Sequence, residues 1–222
     1  MAEIRLPGAI ERRSMEILTQ ELAERGIVLS PDVQSVVHRV IHATADFDFA
    51  SNLVFTKDAV KLAVEALQKS TPIITDTNMA KAGISAAALK QLKTEVHCFM
   101  AEPFIAERAE AEGTTRAAAA MKYAAEQFPG AILAIGNAPT ALFQICDQIR
   151  NGLHPALVIG VPVGFVNVTE SKERTLAVCE EAQIPAIIAR GRKGGSTVSA
   201  AVCNALLYLA AGLQDPSARG WN

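Results

Sequence analysis

The sequence predicts an α/β fold with a largely parallel sheet of about five strands, covered by helices on both faces, in a single domain spanning residues 1–222. Five short runs are apolar on both faces, as strands in a doubly covered sheet must be. Segments with helical spacing alternate with these runs, which indicates parallel strands joined by right-handed crossovers. Half of the residues are hydrophobic and only 5% are aromatic, a composition that favours close packing of helices on a sheet.

The first predicted elements are two helices, at about 10–25 and 31–45, which form a helical hairpin ahead of the first strand. Ser30 and Pro31 suit the start of the second helix, as N-cap and first helical residue. The other predicted helices cover about 56–69, 84–93, 103–127 (which Gly113 can divide in two), 138–151, 169–182 and 195–213. The predicted strands are PIITD (72–76), EVHCFM (95–100), AILAIGN (131–137), ALVIGVP (156–162) and PAIIAR (185–190).

Three of these strands run into glycine-rich or turn-forming loops. The loops contain GNAPTA, GVPVGFVNVTESKE and RGRKGGSTVSAA. In open parallel sheets ligands bind at the carboxyl ends of the strands, where helix N-termini favour anions. We therefore expect these loops to form a binding cleft along one edge of the sheet.

The loop ARGRKGGSTVSAA (189–201) is the strongest candidate for binding an anion. Basic side chains precede a diglycine, whose backbone can fold into an anion-binding nest, and a serine then suits the N-cap of the last helix. The lysine precedes the glycines, unlike a P-loop, and GNAPTA is not G-x-G-x-x-G, so ATP and dinucleotide sites are disfavoured. The loop predicts a site for carboxylates or phosphates, formed by Arg190, Arg192, Lys193, Gly194, Gly195 and Ser196.

Charge and hydropathy disfavour several classes of partner. A formal charge of −2 gives no general affinity for nucleic acid or anionic membranes. The apolar runs reach about ten residues, against roughly 20 for a membrane span, and MAEIRLPGAIERRSMEIL carries charges where a signal peptide needs an apolar run. We expect a cytoplasmic protein, with four scattered cysteines acting as small buried hydrophobes.

The segment RVIHATADFDFA (39–50) raises the question of what His42 does. At about 100° per residue, His42 lies roughly 180° from Val33 and points away from the apolar stripe. It therefore faces solvent, a cleft or a partner subunit. His38, His42 and Asp46 share a four-residue spacing, which leaves a metal site open, although no other His or Cys cluster joins them. Asp46 and Asp48 are otherwise interpreted as helix-end and turn residues.

The segment IERRSM (10–15) places Arg12, Arg13 and Ser14 near the start of the first helix. Positive charge there opposes the helix dipole, which suggests that an anion compensates it. A solvated basic face remains the alternative.

Taken together, seven segments resemble the precorrin-8X methylmutase family of corrin biosynthesis. They occur in family order from residue 10 to about 207: IERRSM, RVIHATAD, PIITDTNMAKAGI, TTRAAAAM, AIGNAPTALF, GVPVGFVNVTESKE and RGRKGGSTVSAAVCNALL. The resemblance implies an isomerase that moves a methyl group from C11 to C12 of precorrin-8X or cobalt-precorrin-8, giving hydrogenobyrinate or its cobalt-containing counterpart. It also implies that no organic cofactor or protein-bound metal is used, and that the fold forms a homodimer with its cleft close to the subunit interface.

The resemblance carries roles over to individual residues. The family's catalytic histidine sits in an R-x-x-H-A motif, which makes His42 the expected general acid and base and Arg39 a substrate contact. Ser14 carries over as a further substrate contact. The segment ERRS has two adjacent arginines before the serine, where family members often have an acidic residue before a single arginine. Arg12 is therefore expected to lack a role.

A corrin precursor carries several carboxylates, which arginine, lysine and helix starts can bind. Two alternatives stay open beside the isomerase: a corrinoid carrier without turnover, and a metal-dependent hydrolase using His38, His42 and Asp46. Neither nucleic acid nor membrane is an expected partner. The further residues expected to bind substrate are Arg13, Arg116, Lys172, Arg190, Arg192, Gly194, Gly195 and Ser196.

Overall fold

A six-stranded sheet forms the centre of the computed structural model, which describes residues 3–220. Its order is β1-β6-β5-β4-β2-β3. The strands are β1 (Leu53–Phe55), β2 (Ile73–Thr75), β3 (Val96–His97), β4 (Ile132–Ile135), β5 (Leu157–Gly160) and β6 (Ala186–Ala189). The helices are α1 (Pro7–Glu24), α2 (Pro31–Thr44), α3 (Phe49–Asn52), α4 (Ala59–Gln68), α5 (Asn78–Gly83), α6 (Ala86–Leu92), α7 (Pro103–Ala111), α8 (Arg116–Gln127), α9 (Pro139–Arg150), α10 (Val168–Glu181) and α11 (Ser196–Ala211), followed by a 3₁₀ turn (Pro216–Arg219).

The sheet is parallel from β2 to β6, which confirms the predicted topology. The prediction of about five strands misses β1, which pairs antiparallel with β6 through Leu53 and Ala189. Three residues directly after a four-residue helix are too short a run for an apolar pattern to be distinguished from its neighbours. Such an antiparallel edge strand on an otherwise parallel sheet is common.

Helices cover both faces of the sheet, as predicted, because successive strand residues point to opposite sides. On one face Ile73, Ile132 and Ile187 belong to a core that also contains residues of α1, α2, α4 and α11. On the other face Ile74 and Leu133 belong to a core with residues of α8, α9 and α10. The four cysteines are all buried and unpaired, as expected from the sequence.

The predicted helical hairpin corresponds to α1 and α2. The apolar stripe of α2 is buried at Val36, Val37, Val40 and Ile41, whereas His42 is exposed, which confirms the helical phase assigned to it. Ser30 occupies the N-cap position, but no side-chain cap bond forms there. Its hydroxyl donates to the Asp32 carboxylate instead, which corrects the prediction of a capping bond.

The other predicted helices match α4 and α6 to α11, with differences at the ends, whereas the four-residue α3 was not predicted. The 103–127 segment is divided into α7 and α8, and Gly113 lies between them with a φ of +62°. The last helix begins at Ser196 with Gly195 at the N-cap position, so the expected serine cap is displaced by one residue. Within residues 3–220 no helix has the length and apolar character to cross a bilayer.

The topology reverses between β2 and β4, which are neighbours in the sheet. From β2 the chain continues to β3 on one side, and from β4 it continues to β5 on the other. Such a point opens a crevice at the carboxyl ends of the two strands, where open α/β sheets bind ligands.

Candidate functional site

Loops from four strands meet at the carboxyl edge of the sheet. The hydroxyls of Thr77, after β2, and Ser196, after β6, are 2.8 Å apart. The Gly164 amide, after β5, donates to the carbonyl of Arg192 at 3.3 Å. The glycine-rich loops therefore lie together at one edge, as the sequence predicts.

Asp76 joins two of these strand ends. Its carboxylate, buried at 1% exposure, accepts hydrogen bonds from the amides of Gly136, Asn137 and Ala138, each at 2.8 Å. Burial raises the pKa of Asp76, and the three N–H donors oppose that rise. The sequence pattern includes this residue only as the end of the predicted strand PIITD (72–76) and gives it no role; its position at the end of a buried strand is the signal that could have identified it.

His42 lies in the last turn of α2 and contacts α1 through Ser14. The His42 Nδ1 and Ser14 Oγ atoms are 2.9 Å apart. Partial burial and the positive charge of Arg39 lower the pKa of His42, Glu11 opposes them, and Arg219 adds to the lowering. Because Nδ1 is engaged by Ser14, Nε2 is the ring nitrogen left for a reacting molecule.

An apolar stripe on α1 flanks Ser14. Ile10 and Ile17, four residues before and three residues after Ser14, are 48% and 42% exposed. Leu6, one further turn back, is 62% exposed. Side chains at these spacings share one helix face, so the Ser14–His42 pair lies beside exposed apolar surface.

Lys193 connects the β6–α11 loop to the end of α2. Its ammonium is 2.7 Å from an Asp46 carboxylate oxygen and 2.6 Å from one of Asp48. The hydrogen bond from Lys193 lowers the pKa of Asp46. Asp46 also accepts the Asp48 amide at 3.0 Å, consistent with the predicted turn role. The loop thus contacts a residue four positions after His42 in the sequence.

The alternative metal site on α2 is not assembled. Asp46 is directed at Lys193 and His42 at Ser14. Among residues 3–220 no three His, Cys, Asp or Glu side chains are grouped as a metal site requires. The arrangement gives no support to a hydrolase built on His38, His42 and Asp46.

Arg39 pairs with a residue that the sequence interpretation did not single out. Its guanidinium is 2.7 Å from the Glu11 carboxylate, which Arg219 also contacts at 2.7 Å. Both guanidinium groups lie over the Tyr208 ring, Arg39 at 5.2 Å and Arg219 at 4.5 Å. Burial acts to raise the pKa of Glu11, but the hydrogen bonds and charges of Arg219 and Arg39 outweigh it and lower that pKa. Glu11 lies on the buried stripe of α1, and a carboxylate in that position requires a charged partner.

Four predicted substrate-binding arginines have exposed side chains: Arg13, Arg116, Arg190 and Arg192. Arg190 pairs with Glu173 at 3.2 Å, and Arg13 pairs with Glu16 at 2.9 Å. Arg192 lies 5.5 Å from the centre of the Phe165 ring. Arg116 is the first residue of α8, and the preceding Thr115 lies 2.7 Å from Thr140 in the first turn of α9.

Lys172, also predicted to bind substrate, has a different position. It is fully buried, and its ammonium donates to the carbonyls of Gly191 and Lys193, each at 2.8 Å. Burial lowers its pKa to about 8. In this arrangement Lys172 acts on the edge cleft through the β6–α11 loop rather than by direct contact.

The diglycine allows close packing between two loops. The Gly195 amide, expected to point at an anion, donates to the Val161 carbonyl at 2.8 Å. A Cβ at Gly194 would lie 2.1 Å from that same oxygen. The anion-nest prediction therefore needs correction at Gly195, because its N–H already bonds to the end of β5. Ser196 likewise bonds to Thr77 through its hydroxyl.

The β5–α10 loop adds a second exposed apolar surface. Val163, Phe165 and Val166 are 47%, 83% and 77% exposed. The loop adjoins Arg192, which lies over Phe165. The carboxyl edge therefore combines exposed apolar side chains with exposed guanidinium groups, a combination suited to a large apolar molecule that bears carboxylates.

Comparison with known proteins is consistent across three measures. Residues 9–209 match the family model described as precorrin-8X methylmutase. The cobalt-precorrin-8 methylmutase of Salmonella typhimurium is 39% identical over 94% of this chain and 98% of its own length. The precorrin-8X methylmutase of a Sinorhizobium species is 38% identical over 91% of this chain and 95% of its own. The crystal structure of precorrin-8x methyl mutase from Thermus thermophilus superposes with a TM-score of 0.82 at 41% identity, covering 92% of this chain and 98% of that one.

Proposed function

Because the chain belongs to the precorrin-8X methylmutase family, whose members are isomerases, we propose that it moves a methyl group from C11 to C12 of precorrin-8X or cobalt-precorrin-8. The single observation that carries the chemical assignment is the Ser14–His42 pair. In this pair Ser14 engages Nδ1 of the titratable His42 imidazole, and Nε2 is left open for a reacting molecule. Exposed apolar surface lies beside the pair.

The proposed reaction breaks the C11–methyl bond and forms the C12–methyl bond, so no atom is gained or lost. Protonation of the conjugated ring makes this shift easier and traps the rearranged skeleton. His42 supplies the proton through Nε2 and takes it back when product forms, while Ser14 orients the ring at Nδ1. A positioned general acid of this kind contributes typically about 10²–10⁴-fold.

Substrate carboxylates are proposed to bind the basic side chains around the edge cleft. Arg13, Arg116, Arg190 and Arg192 are exposed and can form bidentate pairs with acetate and propionate groups. The amide of Gly194 and the side chain of Ser196 lie in the same loop. Arg39, which forms an ion pair with Glu11, remains a proposed substrate-orienting residue.

A homodimer with the active site near the subunit interface is proposed as well. The α1 stripe (Leu6, Ile10 and Ile17) leaves apolar surface exposed on the helix that carries Ser14, and the loop residues Phe165 and Val166 leave it exposed beside Arg192. A macrocycle and a second subunit could cover this surface between them. We also propose that the protein is cytoplasmic, because it is a biosynthetic enzyme that acts on a dissolved substrate.

The test is to incubate the purified protein separately with precorrin-8X and cobalt-precorrin-8 and to follow the absorption spectrum. Rearrangement of the conjugated ring should change the spectrum with the true substrate, and the better substrate identifies the form used. His42→Ala should lower turnover about 10²–10⁴-fold with substrate still bound. His154→Ala is the matched control, since His154 is exposed in the α9–β5 loop, away from the carboxyl edge.

The outcomes separate the proposed roles. Near-wild-type turnover by His42→Ala would remove the general acid role while leaving the isomerase intact. Tight binding of both precursors without any spectral change would instead favour the corrinoid carrier.

A further inference from the structure

A buried charge cluster lies beside the Ser14–His42 pair, and the proton transfer proposed for His42 gives its charges no role. It consists of Glu11 on α1, Arg39 on α2 and Arg219 in the 3₁₀ turn. The Glu11 and Arg219 side chains are 6% and 5% exposed, and that of Arg39 is 16% exposed. Burying three charges is costly unless they are well paired, so their placement here calls for an explanation.

The cluster joins three separate elements at one carboxylate. Glu11 accepts from both guanidinium groups, and Arg219 also hydrogen-bonds to the Tyr208 side chain on α11. Glu11 precedes Ser14 by three residues, and Arg39 precedes His42 by three. Each partner of the charge cluster is therefore one helical turn from a partner of the Ser14–His42 contact.

We propose that Arg219 and Glu11 are positioning residues for His42, which hold α1 on α2 in the register of the Ser14–His42 contact and set the balance of charge facing the imidazole. The inference rests on the proposed role of His42 as general acid. Two guanidinium groups share one carboxylate, so the cluster carries one net positive charge. That charge favours release of a proton from His42 to a bound substrate.

The other titratable groups on the elements around His42 are paired, exposed or neutral. Asp46, which follows the end of α2, is paired with Lys193 from the β6–α11 loop. The described residues of α3 include no titratable side chain, and those of α4, Lys61 and Glu65, are exposed. His38 and Tyr208 complete the set on α2 and α11. Glu11, Arg39 and Arg219 are the charges that act on the titration of His42.

The test is an NMR titration of the His42 imidazole in the full chain. Arg219→Gln removes a positive charge and should raise the His42 pKa, whereas Glu11→Gln removes the negative charge and should lower it. Each shift is expected to be about 0.3–1 pH unit. Arg219→Lys keeps the charge and should titrate like the wild type. Arg174→Gln is the control, since Arg174 pairs with Asp147 on the opposite face of the sheet.

The opposite signs distinguish this proposal from a merely structural role. If the substitutions only detached α1, both variants would lose the Ser14 contact and His42 would titrate higher in each. Shifts of the same sign, or none, overturn the proposal. Should Arg219→Gln fail to fold, the same test is that His42 titrates lower in Glu11→Gln than in Arg219→Lys.

The readout is also independent of catalysis. If the NMR shifts appear but the pH profile of turnover does not follow them, the charge cluster acts on His42 and the general acid assignment fails. If turnover follows pH in the wild type but the variants show no opposed shifts, the general acid assignment stands and this inference fails.

Discussion

His42 shows how a single residue can be partly predicted from its helix. Helical phase places it outside the apolar stripe, and the structure confirms that exposure. Its contact with Ser14 depends on how α1 packs on α2, which no local pattern encodes.

The lowered pKa of His42 has a consequence for stability. Because this pKa is lowered from 6.5 in the fold, the imidazole binds a proton more readily in the unfolded chain. His42 therefore destabilises the fold as pH falls below about 6.5.

Gly194 is the residue at which backbone packing is tightest. Its absent side chain lets the β6–α11 loop approach the Val161 carbonyl, where a Cβ would lie 2.1 Å from the oxygen. Gly194→Ala should lower the free energy of unfolding by about 3 kcal/mol, as expected for a severe steric conflict. Gly191→Ala is the matched control, because Gly191 has a φ of +73° but no atom within 4 Å of an added Cβ. Gly191→Ala should lower the free energy of unfolding by only about 1–2 kcal/mol, because alanine is disfavoured in the left-handed conformation. Urea unfolding measures both variants. Equal losses in both variants would contradict the role of close approach.

At the scale of elements, the long periodic segments were predictable and the short ones were not. Five strands and the main helices follow from apolar runs and helical spacing. The strand β1 is three residues long and is stabilised by pairing with β6, a contact distant in sequence. The side chains of Ser30 and Ser196 bind Asp32 and Thr77 rather than helix amides. The competitor of the cap is an acidic residue in the first turn of the same helix for Ser30, and a tertiary neighbour for Ser196.

The contact between α10 and the β6–α11 loop leads to a pH prediction for Lys172. Its pKa is about 8 in the fold, against an ordinary 10.5, so between these values the unfolded chain binds more protons. Relative to Lys172→Met, the free energy of unfolding of the wild type should therefore rise with pH in this window, by up to about 1.4 kcal/mol per pH unit. Urea unfolding of both proteins from pH 7.5 to 10.5 measures the difference. A constant difference across this range would show that Lys172 titrates normally.

At the scale of the molecule, the location of the cleft was predictable from parallel topology alone. The loops after β4, β5 and β6 do meet at the carboxyl edge, where the basic residues Arg190, Arg192 and Lys193 also lie. Which basic residues are free could not be predicted. Lys172 is buried beneath a loop, Lys193 binds Asp46 and Asp48, and Arg39 binds Glu11. These pairings depend on distances across the fold.

The proposed homodimer gives a prediction for the α1 stripe. Ile10→Glu places a charge on exposed apolar surface next to Ser14 and should convert a dimer to monomers at micromolar concentration, because burial of an unpaired carboxylate opposes association. Val28→Glu is the control, since Val28 is 94% exposed in the α1–α2 connection, away from the stripe. Sedimentation velocity measures both. A dimeric Ile10→Glu protein would exclude the stripe from the interface.

Asp76 has a consequence for the kind of ligand that this sheet can accept. The crevice between β2 and β4 is where related architectures seat a phosphate group, and here the chain places its own carboxylate there against three amides. The carboxyl group of Asp76 thus occupies the position that the phosphate of a nucleotide would need. Under the proposed function, the substrate would instead be bound further out, by exposed guanidinium groups on flexible side chains that can reach carboxylates spread around a wide ring. A fold often associated with compact phosphates would in this way suit a large macrocycle.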